Sequence, residues 1–216
     1  CRPIVDSQVK VPGSKSLTHR TYIAAALSDG CCTIDNALVA DDTQLTLQAL
    51  SQMGARFEQQ GDQFQIHGLN GRLQANDQTI YLGNSGTSMR LLTAVAALNT
   101  GTVTLTGSER MTQRPIQDLL DALQQLGIRA HSLANNGCPP VAITGAPISS
   151  GKVKINCRTS SQFLSGLLLI APLSRNGLEI EVVQGPVSRP YVPRPVCIFL
   201  VFRFGVGHDG SPVGAK

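Results

Sequence analysis

Two helix-to-strand junctions, each written more than once, constrain this chain more than any other feature. Ala24 to Ile34 reads AAALSDGCCTI, Ala96 to Leu105 reads AALNTGTVTL, and Ala171 to Ile180 reads APLSRNGLEI. Each closes an apolar helical run with a Gly near the C-cap, where only Gly takes left-handed backbone cheaply, and then enters a β-rich run. A second junction recurs as Leu47 to Phe57 (LQALSQMGARF), Leu119 to Ala130 (LLDALQQLGIRA) and, more weakly, Phe199 to Gly207 (FLVFRFGVG). The spacing of about 70 residues between copies implies one supersecondary unit repeated three times, over about 11–78, 79–146 and 147–216. The unit reads β-α-β-α-β-β. Helices are predicted over about 15–28 and 42–53, 87–98 and 115–126, and 161–173 and 195–204, with short β-branched strands at 103–107, 141–144, 152–157 and 178–183.

Composition narrows the function classes. With 42% hydrophobic and 15% charged residues the chain can bury a core, which argues against disorder. No Trp, three Tyr and six Phe leave few platforms for stacking on bases, so single-strand nucleic-acid binding is disfavoured. A net charge of +4 without a run of Lys or Arg suits a small anionic ligand better than a polyanion. The six cysteines show no CxxC and no Cys/His cluster, so they read as reduced thiols of a cytoplasmic protein, with no metal and no cofactor expected. No window is long and apolar enough for a membrane span. The start at Cys1 carries neither initiator Met nor signal peptide, so the chain is expected to begin inside a longer gene product.

The chemistry gathers in front of the first helix of each copy. There stand Pro12-Gly13-Ser14-Lys15-Ser16, then Gly83-Asn84-Ser85-Gly86-Thr87-Ser88, then Arg158-Thr159-Ser160-Ser161-Gln162. A helix start offers unpaired N–H groups and the positive end of its dipole, which suits phosphate or carboxylate. Ser, Thr, Asn and Gly are also ordinary N-cap and turn residues, so each segment alone fits that plainer role. Ser16 with Arg20, and Gly86 with Arg90, add a guanidinium one turn along the anion-facing side of two of these helices. Pseudo-symmetry would turn all three starts to one side, where a single polyanionic ligand could meet them. The P-loop spacing fails, with Ser14 before Lys15 and Val9 five residues earlier, and no G-x-G-x-x-G occurs at 83–88.

Five segments, in order and at matching spacing, resemble the 5-enolpyruvylshikimate-3-phosphate synthase family. They are Pro12 to Ser16 with Arg20, Leu82 to Arg90, Arg114-Pro115-Ile116, Ser160 to Leu164, and Ser188-Arg189-Pro190-Tyr191. The resemblance covers about residues 11–192. It implies an α/β fold of three pseudo-symmetric βαβαββ units forming one lobe of the enolpyruvyl transferase fold, an inside-out α/β barrel, with the third unit incomplete. Residues 1–10 would precede that shikimate-3-phosphate-binding lobe (11–192), and 193–216 would be an atypical tail. The implied reaction is carboxyvinyl transfer from phosphoenolpyruvate to the 5-hydroxyl of shikimate 3-phosphate, in aromatic amino-acid biosynthesis.

Residue by residue, the resemblance implies that Ser16 and Arg20 hold the shikimate carboxylate. Ser160, Ser161 and Ser188 would receive the 3-phosphate, with Gln162 and Tyr191 lining the ring. Lys15 and Arg114 would meet phosphoenolpyruvate or the inhibitor glyphosate. Gly86 would approach closely, with Asn84, Thr87 and Arg90 at the same mouth. Lys15, Arg114 and Gln162 are the expected catalytic set. Fixed cations suit a reaction in which charge develops on groups already anionic.

Departures from the family are as informative. Its members are about twice this long, with two such lobes and the active site between them. The acid–base Asp and Glu, a further Lys and two phosphoenolpyruvate-binding arginines belong to the half not represented here, so a complementary C-terminal lobe is the expected partner. Asp41 and Asp42 match an acidic pair of the family, yet they open a helix, where negative charge is favoured anyway. Pro193 and Pro195 interrupt the last expected helix. The alternatives are a non-catalytic anion-binding fragment and a UDP-sugar enolpyruvyl transferase lobe. The latter typically carries a reactive Cys in the loop that here reads Gly107 to Gln113, and none of the six cysteines falls there.

Overall fold

The computed structural model describes residues 11–185 apart from 76, 149 and 150. The predicted helix at 195–204, the 193–216 tail, Ser188 and Tyr191 lie outside the described residues. The second copy holds the whole unit: β4 (Gln78–Tyr81), α3 (Gly86–Ala96), β5 (Thr102–Thr106), α4 (Gln117–Gln125), β6 (Arg129–Ser132) and β7 (Val141–Thr144). Around it stand α1 (Lys15–Leu27), β1 (Cys31–Ile34), α2 (Asp41–Gln52), β2 (Arg56–Gln60) and β3 (Gln63–His67) before, and β8 (Gly151–Asn156), α5 (Gln162–Ile170) and β9 (Leu178–Gln184) after.

Sheet pairing repeats with the elements. In the second unit β5 lies between β4, parallel to it, and β7, antiparallel, with β6 on the far side of β7. Among the described residues the first unit shows the antiparallel part as β1-β3-β2, and the third shows the parallel part as β8-β9. Strands such as β3 bury alternate residues, Phe64 and Ile66 inward with Gln63, Gln65 and His67 outward, as a sheet with one wet face must.

The core lies on the inner helices. Tyr22 to Leu27 of α1 and Leu91, Leu92, Ala94, Val95 and Ala96 of α3 are fully buried, as are Phe163, Leu167, Leu169 and Ile170 of α5. Helices apolar around much of their circumference belong inside, while α2 and α4 bury one face, Leu47 and Leu50 in one and Leu119, Leu120 and Leu123 in the other. Helices inside and sheets outside is the expected arrangement.

One reading needs correction. The junction glycines are not equivalent: Gly30 and Gly177 take left-handed φ of 94° and 78°, whereas Gly101 does not. After α3 the chain turns through Leu98 and Asn99 instead, and the Asn99 side chain bonds to both backbone groups of Ala75. A side-chain amide that satisfies the neighbouring loop does there what the left-handed glycine does in the other copies.

Candidate active site

The starts of α1, α3 and α5 converge, and hydrogen bonds between helices record it. Arg20 is fully buried. Its Nη1 donates to Ser16 Oγ at 2.7 Å and to the Ser16 carbonyl at 2.9 Å, and its Nη2 donates to Ser165 Oγ on α5 at 2.9 Å. The spacing of Ser16 and Arg20 puts the guanidinium one turn along from the hydroxyl, and the structure adds that Arg20 is also a buried cross-link between the first and third units.

Gln162, at the first position of α5, bridges to α3. Arg90 Nη1 donates to its Oε1 at 3.0 Å, and its Nε2 donates to Thr87 Oγ1 at 3.0 Å. The Arg90 guanidinium stands 5.8 Å over the Phe163 ring, within cation–π reach. Arg114 comes from the 83–86 side and donates weakly to the Asn84 carbonyl at 3.4 Å. Gly86 makes room for it, since a Cβ there would lie 2.5 Å from Arg114 Nη1 and 3.7 Å from Arg90 Nη1.

The electrostatics follow from that crowding. Burial, and then the charge of Arg114, push the Arg90 guanidinium below its ordinary range. Among the described residues neither Arg90 nor Arg114 pairs with a carboxylate. Two neighbouring guanidiniums without a counter-ion favour an incoming anion. Lys15 does have one: its Nζ lies 2.8 Å from Asp42 Oδ2, with the side chains 53% and 32% exposed. An ion pair so open is worth little, so an anion can displace the carboxylate at small cost.

The start of α5 is less cationic. Ser160 and Ser161 are buried at the start of α5, and Ser160 Oγ accepts from the Gln162 amide at 3.2 Å. Ser14 makes no side-chain cap on α1, while Ser85 caps α3 by accepting from the Ser88 amide at 3.4 Å. The N-cap role therefore accounts for Ser85 and not for Ser14.

Lys15, Ser16, Arg20, Asn84, Gly86, Thr87, Arg90, Arg114, Ser160, Ser161 and Gln162 are thus gathered at the helix starts. Asp42, which the sequence marks as a helix-opening acid, is also the partner of Lys15 across 27 positions of chain, a pairing the sequence did not reveal; Ser165, the partner of Arg20, escaped the sequence reading altogether. The usable signal for Ser165 was a lone hydroxyl in an otherwise apolar helix, four residues after Ser161.

Three repeats with their first helices inside and small sheets outside define a lobe of the enolpyruvyl transferase fold. The chain belongs to the EPSP synthase (3-phosphoshikimate 1-carboxyvinyltransferase) family, whose model matches residues 2–212, beyond the span that carries the motifs. A 3-phosphoshikimate 1-carboxyvinyltransferase of Shewanella denitrificans is 40% identical over 95% of this chain and 49% of its own length. That of Methanothermobacter thermautotrophicus is 44% identical over 96% of this chain and 48% of its own. A solved EPSP synthase from Acinetobacter baumannii superposes with a TM-score of 0.70 at 31% identity, over 77% of this chain and 38% of that one. The chain therefore spans about half the length of the curated relatives it matches.

Proposed function

We propose that this chain supplies the shikimate-3-phosphate-binding half of an enzyme that transfers the enolpyruvyl group of phosphoenolpyruvate to the 5-hydroxyl of shikimate 3-phosphate, releasing inorganic phosphate. The observation that carries the reading is the pair Arg90 and Arg114 held around Gly86 without a carboxylate partner among the described residues, next to Lys15 in a weak, exchangeable ion pair. Such a cluster suits a substrate bearing both a carboxylate and a phosphate. Ser16, backed by Arg20, faces the ring carboxylate in this reading, and Ser160 and Ser161 take the 3-phosphate together with Ser188, which lies outside the described residues. Gln162 and Tyr191 line the ring, Tyr191 also lying outside them. Asn84 and Thr87 complete the mouth.

The chemistry asks little more of these residues than charge and position. The 5-hydroxyl gives its proton to a base as its oxygen adds to the enol carbon of phosphoenolpyruvate, while an acid delivers a proton to the methylene carbon. Loss of one methyl proton to a base and of phosphate then regenerates the double bond. Lys15 and Arg114 stabilise the anionic groups through both steps, and Gln162 fixes Arg90 and Thr87 around them. Proton donors and acceptors come from the complementary lobe, so turnover requires both halves. No helix among the described residues is long and apolar enough to cross a membrane; a cytoplasmic setting is part of the same proposal, from cysteine spacings that suit reduced thiols.

Phosphate release from shikimate 3-phosphate and phosphoenolpyruvate tests the proposal. The chain mixed with a complementary half is expected to release phosphate in step with consumption of both substrates. No release from a folded mixture would leave the chain a non-catalytic anion-binding fragment.

A further inference from the structure

A buried row of polar side chains runs behind the mouth and belongs to none of the ligand sets above. His19 Nδ1 and Thr46 Oγ1 are 2.7 Å apart, Thr46 Oγ1 and Ser88 Oγ 2.8 Å, and Ser88 Oγ and Ser85 Oγ 2.6 Å. Ser88 Oγ also reaches the Asp42 carbonyl at 3.2 Å. All four side chains are fully buried. They come from α1, α2, α3 and the residue that caps α3, so the row ties together three helices that are far apart in sequence.

The proton count gives the row a direction. If His19 donates from Nδ1 to Thr46, then Thr46 donates to Ser88, Ser88 to the Asp42 carbonyl, and Ser85 to Ser88. Every hydroxyl proton then has an acceptor, and the only atom of the row without a partner among the described residues is His19 Nε2, a bare lone pair. The opposite tautomer would bury an unpaired N–H at that position, the costlier arrangement.

We propose that this relay is a positioning device for the phosphoenolpyruvate side of the site. Its ends bear on the residues assigned to that ligand. Asp42, whose carbonyl terminates the relay, holds Lys15 through its carboxylate. Ser85 and Ser88 bracket Gly86 and Thr87. Loss of the relay frees the first turn of α2 to shift against the start of α3, changing the placement of Lys15 relative to Gly86 and Arg114. The shikimate carboxylate ligands are braced separately, Ser16 by Arg20 and Arg20 by Ser165 on α5. The relay therefore acts on one substrate and spares the other. This assignment rests on the proposed function for what the two ligands are; the mechanical coupling stands apart from it.

The discriminating experiment uses four forms of the chain: wild type, Thr46→Val, Thr46→Ser and Ser88→Ala. Thr46→Val keeps the buried shape and deletes the hydroxyl, and Thr46→Ser restores it. Each form is titrated by NMR with shikimate 3-phosphate and then, with that ligand saturating, with phosphoenolpyruvate. Shikimate 3-phosphate affinity is expected to stay within about twofold in all four. Phosphoenolpyruvate affinity is expected to weaken about three- to tenfold in Thr46→Val and Ser88→Ala, as the loss of one or two neutral hydrogen bonds allows, and to recover in Thr46→Ser. Equal weakening toward both ligands, or an unchanged phosphoenolpyruvate affinity, overturns the proposal. Amide exchange in the unliganded chain separates this from failure of the functional reading. Faster exchange at the starts of α2 and α3 in the two relay-broken forms supports the coupling even if neither ligand binds, and unchanged exchange there refutes it.

Discussion

Arg20 and His19 stand one position apart on α1, and both are buried at no exposure, yet their charges are handled in opposite ways. The Arg20 guanidinium donates to two hydroxyls and a carbonyl. Arg20→Ala is therefore expected to weaken shikimate 3-phosphate binding by about 1.5–3 kcal/mol, while Arg110→Ala, in an exposed loop position, changes it negligibly. Calorimetry on both variants checks this, and the Arg20 variant should also melt earlier because Ser16 and Ser165 lose their partner. His19 is instead kept neutral. Burial, with Lys15 and Arg20 adding to it and Asp42 opposing, lowers its pKa from 6.5 to about 4. The unfolded chain takes up a proton near pH 6.5 and the fold resists until about pH 4, so the contribution is complete above the first value and disappears as pH falls to the second. That contribution is about 3 kcal/mol. Urea midpoints at pH 7 and pH 4.5 should fall further apart in the wild type than in His19→Gln, and equal spacing would count against a neutral buried imidazole. Little of this was legible beforehand: Ser16 and Arg20 announce themselves by spacing, but a His amid helix residues gives no sign that Thr46 lies across from it.

Helix starts carry both the legible and the hidden parts of the site. Their positions followed from glycines, hydroxyls and hydrophobic periodicity, and the observed α1, α3 and α5 begin within a residue of expectation. Their polar bracing was hidden, because Asp42 and Ser165 meet α1 only after the units have folded against one another. The same logic bears on Leu91, fully buried in α3 and one residue beyond Arg90. Leu91→Pro would delete a helix-interior amide and bend the turn that holds Gly86 and Thr87, at a cost of about 3 kcal/mol or more in stability. With a complementary half supplied, the parent is expected to be at least about threefold less inhibited by glyphosate than the Leu91→Pro variant. Identical inhibition curves would show that the helix start does not move with residue 91.

At the scale of the whole molecule, the repeat carried the architecture because a unit that cannot bury its own apolar face must stack on its copies. The sheet order was less accessible: alternation marks Phe64 and Ile66 as inward, but it cannot say that β1 pairs with β3 or that β4 runs parallel to β5. In the proposed reading Ser16, Arg20, Ser160 and Ser161 serve shikimate 3-phosphate, which would keep much of its contact set on this lobe, whereas phosphoenolpyruvate would meet Lys15 and Arg114 here and further cations on a complementary lobe. Binding by one open lobe should be weak and should weaken further with salt, since exposed charges are screened. The most direct test is an NMR titration of the isolated chain with shikimate 3-phosphate, following the amides of Ser16, Ser160, Ser161 and Gln162, with phosphate release monitored after phosphoenolpyruvate is added. Saturable shifts at those amides with no turnover are predicted; an absence of any response at millimolar ligand, or steady turnover by the chain alone, would contradict the account.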